Sequence, residues 1–160
     1  MPKNSYFRTL KLNSMYEIIL SIHSYIAYAA LGMLIIAVVN SIIGVTSNKM
    51  FTPEKDFRVS LFTLILCHIQ LLIGLILFVV SPSGLNAIKE LGMGGLTSAS
   101  RLLAVEHPFI NIIALVLITI GWSRHKKFLD GKKKFKSIAI FYGIGLVLIL
   151  TRIPWGQWLN

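Results

Sequence analysis

The 160-residue chain is 55% hydrophobic and only 14% charged, with a mean hydropathy of +0.74. That balance excludes an ordinary soluble domain, in which about a quarter of residues are charged, and a membrane bundle uses nearly the whole length, so no soluble catalytic domain is left over. The formal net charge of +10 is not a nucleic-acid footprint, because its densest part lies between two apolar runs, where lysines orient a membrane protein and meet anionic lipid.

Residues 1–14 are polar and basic (Lys3, Arg8, Lys11). The first apolar run, residues 16–45, is too long for the core of a signal peptide. It reads as a retained helix that exceeds the hydrocarbon thickness and so tilts or projects. The segment TSNKMFTPEKDFR is a polar linker carrying Pro53. A second span covers residues 59–80, and Ser81-Pro82-Ser83-Gly84 stops it. Residues 83–100 form a connector in which LNAIKEL reads as a short interfacial helix and GMGGLTSAS as a flexible loop, with Ser98 or Ser100 as the cap of the third helix. The third span is LLAVEHPFINIIALVLITIGW, residues 102–122. The basic loop SRHKKFLDGKKKFKS follows, and His125 within it reads as a solvated surface residue. A fourth span, residues 138–153, ends in RIPWGQW, whose Trp155 and Trp158 suit an interfacial belt. The expectation is an all-α integral membrane four-helix bundle with up-down topology and a single domain.

Basic residues set the expected orientation. Ten of the sixteen Lys and Arg fall in the loops after spans one and three; the other six are Lys3, Arg8, Lys11, Lys89, Arg101 and Arg152. The positive-inside rule then places both termini outside the cytoplasm. The single cysteine, Cys67, excludes an internal disulfide and a CxxCH haem attachment. It reads as a small buried hydrophobe. Gly32, Gly44, Gly74, Gly121, Gly143 and Gly145 read as points of close helix packing.

Three spans each carry one internal histidine: His23, His68 and His107. Ionisable groups inside a membrane are costly and mark sites. With a rise of about 1.5 Å per residue, His107 lies about 9 Å below the outer edge, His23 about 10 Å and His68 about 20 Å. His23 and His107 match in depth. They sit on helices one and three, which are diagonal in an up-down bundle. Two facing imidazoles at one level are what a bis-imidazole haem needs. Gly74 would let a helix approach a porphyrin closely, and Gln70, Asn40 and Asn111 are further polar groups that need partners in lipid. Arg101 and Arg152 stand at the outer mouth, where haem propionates would emerge, and the planar Arg fork suits a carboxylate; interfacial snorkelling is their plainer reading. Glu106 is expected to pair with one of these arginines or to accept a proton from a redox partner.

HSYIAYAALGML, the run containing HIQLLIGL, RLLAVEHPFINIIALVLITIG and KSIAIFYGIGLVLILTRIPW resemble the small four-helix bacterial inner-membrane proteins of the "cytochrome B" family. The resemblance runs from about His23 to Trp155, and HIQLLIGL, AVEHP and IPW are its most specific pieces. It implies one non-covalent b-type haem and electron transfer in a bacterial inner membrane, with His23, His68 and His107 as candidate ligands. Three histidines suffice for one such haem with one left over. A quinol or a respiratory complex is then the expected partner, besides the lipid bilayer. Two other readings stay open. Three histidines and Glu106 suit copper, zinc or iron in a metal-handling protein. Alternatively, the chain is a cofactor-free subunit or assembly factor of a larger membrane complex, its histidines serving packing and proton relay.

Overall fold

The computed structural model describes residues 3–158, with side chains from Ser14 onward. Every regular element among them is helical. Helix α1, Lys3–Thr46, has 44 residues, a length of about 66 Å at the α-helical rise. It outruns the bilayer, as a 16–45 apolar run within a longer helix requires. Helix α2, Arg58–Val80, is entered through a π-helical turn, Pro53–Phe57. Helix α3 is Leu85–Leu91, the LNAIKEL segment. A 3₁₀ turn, Met93–Gly95, leads to α4, Ser98–Arg101; a second π-helical turn, Leu102–Glu106, joins α4 to α5, His107–His125. Helix α6 is Gly131–Thr151 and α7 is Trp155–Trp158. Four segments are long and apolar enough to cross a membrane: Ser14–Thr46, Pro53–Leu91, Ser98–His125 and Gly131–Thr151.

Three boundaries differ from the sequence reading, each for a local reason. The second helix starts at Pro53 because proline at the first turn loses no needed N–H. Behind it, the Asp56 carboxylate reaches back to the Thr52 N–H at 2.8 Å and the Thr52 hydroxyl at 2.9 Å. The cap of the third segment is Thr97, whose side chain accepts from the Ser100 N–H at 3.2 Å, so neither Ser98 nor Ser100 fills that role. The fourth helix begins at Gly131, because the Asp130 carboxylate accepts from the Lys132 N–H at 2.8 Å. The lysine run is therefore helical.

Helix α1 packs beside α2 and α6, and α5 packs beside the same two, so α1 and α5 stand on a diagonal. The turns at 47–52 and 126–130 share one end of the bundle, where Lys132 Nζ donates to Asn48 Oδ1 at 2.9 Å and the Phe51 and Phe135 rings lie 5.0 Å apart. We call this the loop end; the 81–97 connector and α7 lie at the mouth end. Large apolar side chains face outward along the spans, for example Ile36 and Ile43 on α1, Leu72 and Ile76 on α2, and Val147 on α6. A chain that exposes its most apolar faces is built for lipid rather than water.

The interior is tight at the loop end. Leu34, Ala37, Val38, Ile118, Trp122, Ile138 and Tyr142 form the core. Polar side chains stitch the helices across it. Tyr142 donates to the Ser60 carbonyl at 2.9 Å, Thr63 to the Met33 carbonyl at 3.0 Å and Ser137 to the Gly121 carbonyl at 3.2 Å. Small residues permit the approach: a Cβ at Gly44 would lie 2.5 Å from the Phe135 ring, and one at Gly121 would lie 2.5 Å from Phe141 Cβ. Gly145 is similarly tight against Ile118, whereas Gly32 and Gly143 meet no neighbour among the described residues.

His125 is not solvated. It is 1% exposed, its Nδ1 donates to the Trp122 carbonyl at 2.6 Å, and its ring packs with Phe51, Phe57 and Trp122. The loop is only a short turn, which folds the end of α5 under Phe51. Asp56, read as part of a polar linker, is the buried anchor of this end. Its carboxylate is wholly inaccessible and accepts from Asn40 Nδ2 at 2.9 Å and Lys49 Nζ at 2.7 Å, besides Thr52. It ties α1, the first turn and α2 together. Asp56→Ala would leave four donors, from Asn40, Lys49 and Thr52, without their acceptor, a loss on the order of 3 kcal/mol. Thermal unfolding in detergent should therefore show a clear drop for Asp56→Ala and a smaller one for Asp56→Asn; equal stability of all three proteins would contradict this role.

Candidate functional site

Pro108 shapes the local backbone. It lacks an N–H and cannot complete the ladder one turn back. The π-helical turn Leu102–Glu106 precedes it, and the His107 N–H reaches the Leu102 carbonyl. Such turns recur at functional sites. This turn presents His107 to the inside of the bundle.

His107 meets His23 there. The two ring centroids are 6.4 Å apart, with planes inclined at 73°. Both rings line a cavity of about 360 Å³ between the spans in the mouth-end half, within the range of small-molecule and cofactor sites, about 300–1,000 Å³. Its walls are mainly apolar, including Leu20, Leu71, Phe78, Leu103 and Ile149, with Ser24, Gln70, Asn111 and Trp158 as polar points.

Each imidazole is held from behind. His107 Nδ1 lies 2.8 Å from the Arg152 carbonyl. A carbonyl only accepts, so Nδ1 carries the proton and Nε2 keeps its lone pair. A backbone carbonyl behind the second ring nitrogen is a common support of a metal-binding histidine. Asn111 Nδ2 donates to the His107 carbonyl at 2.6 Å. His23 faces α2. Gln70 Nε2 donates to its carbonyl at 3.0 Å and lies 3.2 and 3.3 Å from its two ring nitrogens. A Cβ at Gly74 would sit 3.1 Å from His23 Cε1, so the glycine makes the space this ring occupies.

Two buried polar atoms in the cavity wall lack partners among the described residues: Gln70 Oε1 and Trp158 Nε1. Helix α7 folds back, so that Trp158 stacks on Tyr28 at 4.3 Å with planes 16° apart and its carbonyl accepts from the Tyr28 hydroxyl at 3.4 Å. Trp158 thereby closes one side of the cavity.

The structure does not bring His68 to this site. Its Nδ1 donates to the Leu64 carbonyl one turn back at 2.8 Å, and its ring is exposed on the outer face of α2. Arg101 and Arg152 stand at the cavity rim rather than in its wall. Both are engaged by Glu106: Arg101 Nε lies 3.1 Å from Oε1, and Arg152 Nε lies 3.4 Å from Oε2. Glu106 therefore pairs with both arginines, where the sequence reading expected one. Cys67 also lines the cavity. Among the described residues, no three of His, Cys, Asp and Glu stand together as a metal site.

Gln70 and Trp158 carried weak signals in the sequence. Gln70 lies four residues before Gly74, on the same helix face. For Trp158, nothing in the sequence shows that α7 turns back on α1. No family model, curated protein or solved structure matches the chain.

Stacked aromatic pairs contribute about 0.5–1.5 kcal/mol beyond burial. Tyr28→Ala should therefore raise hydrogen exchange across residues 155–158 by up to roughly tenfold while the four spans keep their protection. Unchanged exchange at 155–158 would show that Tyr28 does not hold the C-terminal turn.

Proposed function

We propose that this chain is a b-type membrane cytochrome that holds one non-covalent haem between His23 and His107 and passes electrons within a bacterial inner membrane. The observation that carries this reading is the 6.4 Å separation of the two rings. An imidazole nitrogen binds a metal at about 2.0–2.1 Å, so two rings at this separation would have room to hold one metal centre between them. The donor number supports a macrocycle over a metal ion held by side chains alone. Two imidazoles satisfy two of six octahedral positions, and a porphyrin supplies the other four. The apolar lining and the space made by Gly74 support such a group.

When bound, haem would supply a reversible one-electron couple. The chain's own residues do the rest. The Arg152 carbonyl fixes the His107 tautomer and aims its lone pair. Gln70 steadies His23 from α2. Leu103, Phe78 and Ile149 give the site apolar walls. Arg101 and Arg152 lie at the rim, where they can meet carboxylates. A quinol or a respiratory partner is the proposed electron source, and the basic loop end is proposed to face the cytoplasm. One observation favours a second reading, a subunit of a larger complex. His68 turns an imidazole outward in mid-span, and its Nε2 has no partner among the described residues, a group that a neighbouring membrane helix would satisfy.

Reduced-minus-oxidised spectra after haem-replete expression test the proposal. His23→Ala and His107→Ala should each lose at least nine-tenths of the b-type absorbance, whereas His68→Ala retains it. Retention in both of the first two variants, or absence of b-type bands from the unaltered protein, would reject it.

A further inference from the structure

At the cavity rim Glu106 lies between two arginines. One carboxylate oxygen faces Arg101 Nε and the other faces Arg152 Nε, at 3.1 and 3.4 Å. Neither contact is the two-bond fork that Arg makes with a carboxylate in its strongest geometry. Arg152 spends Nη1 on the Thr151 carbonyl at 2.9 Å, and Arg101 makes no contact through its Nη groups among the described residues. Two guanidinium charges thus share a single carboxylate, leaving a net positive charge at the rim. All three side chains are partly exposed, at 55%, 44% and 34% for Arg101, Arg152 and Glu106. The carboxylate can therefore leave without opening the core. The cluster also adjoins the imidazole site. The Arg152 carbonyl holds His107 Nδ1, Glu106 precedes His107 in the chain, and Ile153 and Pro154 line the cavity beside Arg152.

We propose that Arg101 and Arg152 form a carboxylate subsite at the mouth of the cavity, that Glu106 fills it in the ligand-free chain, and that a carboxylate of the bound ligand displaces Glu106. The ligand's identity rests on the haem reading above, since haem carries two propionates beside an apolar body. In this arrangement Glu106 is a placeholder. It keeps the paired arginines from repelling each other and competes with the ligand for them. Exchange is close to balanced in charge, because one carboxylate replaces another, and the released Glu106 turns to solvent.

A competitor behaves oppositely to a supporting residue, which makes the proposal testable. Full-length protein in detergent is titrated with haem and, separately, with its dimethyl ester, in which both propionates are blocked. Glu106→Gln should bind haem roughly two- to fivefold more tightly than the unaltered protein, the range for one exposed ion pair. Its affinity for the ester should be unchanged. Arg101→Gln and Arg152→Gln should each reduce the preference for haem over the ester; both leave the Arg152 carbonyl in place. Glu106→Ala serves as a second variant should Glu106→Gln fold poorly. Weaker or unchanged haem binding by the Glu106 variants, or an equal gain for the ester, would overturn the placeholder while leaving the imidazole site standing. Failure of either porphyrin to bind any of these proteins would reject the haem reading and this subsite together.

Discussion

Hydrocarbon offers no hydrogen bonds, so each polar group carried into a span must find its partner inside the chain. The structure obeys this constraint by two routes. At the loop end, serine, threonine and tyrosine hydroxyls close onto carbonyls of the same or neighbouring helices, and Asp56 collects donors from α1 and the first turn. At the mouth end, the histidines, Gln70 and Asn111 are only partly satisfied by one another, and a cavity separates them. The loop end thus fixes the helices. The mouth end holds the polar atoms that internal bonds leave over.

That division explains why a site can exist in so small a bundle. Gly44, Gly121 and Gly145 bring backbones close where the core is full. Above that core a cavity opens beside His23 and His107, which stand on the diagonal pair α1 and α5. The π-helical turn before Pro108 and the return of α7 onto Tyr28 then shape the opening. None of these features alone points to a cofactor. Together they hold two imidazoles at one level with apolar walls around them.

The four spans were legible in the sequence because hydropathy is a one-dimensional signal and Ser81-Pro82-Ser83-Gly84 marks a stop. The meeting of His23 and His107 was legible too, since helical rise converts residue counts into depth. What the sequence could not give was azimuth. A helix surrounded by lipid is apolar on all sides, so no polar stripe reveals which face turns inward. His68 illustrates this: its depth made it a plausible ligand, but its direction takes it away from the cavity. Asp56 and His125 were misplaced for another reason. Both lie in segments that read as polar linkers, yet the turns are short enough to be folded into the bundle end, with partners supplied from other helices. The rim cluster was half visible, because pairing Glu106 with Arg101 is local whereas Arg152 arrives from the far end of α6.

The proposed function requires that His23 and His107 grip one guest from opposite sides. The most direct measurement is the low-temperature electron paramagnetic resonance spectrum of ferric, haem-loaded protein. Two axial imidazoles with steeply inclined planes, as the 73° angle gives, predict a single low-spin species with a strongly anisotropic spectrum. A high-spin spectrum, or a low-spin one with the signature of a non-imidazole sixth ligand, would contradict it.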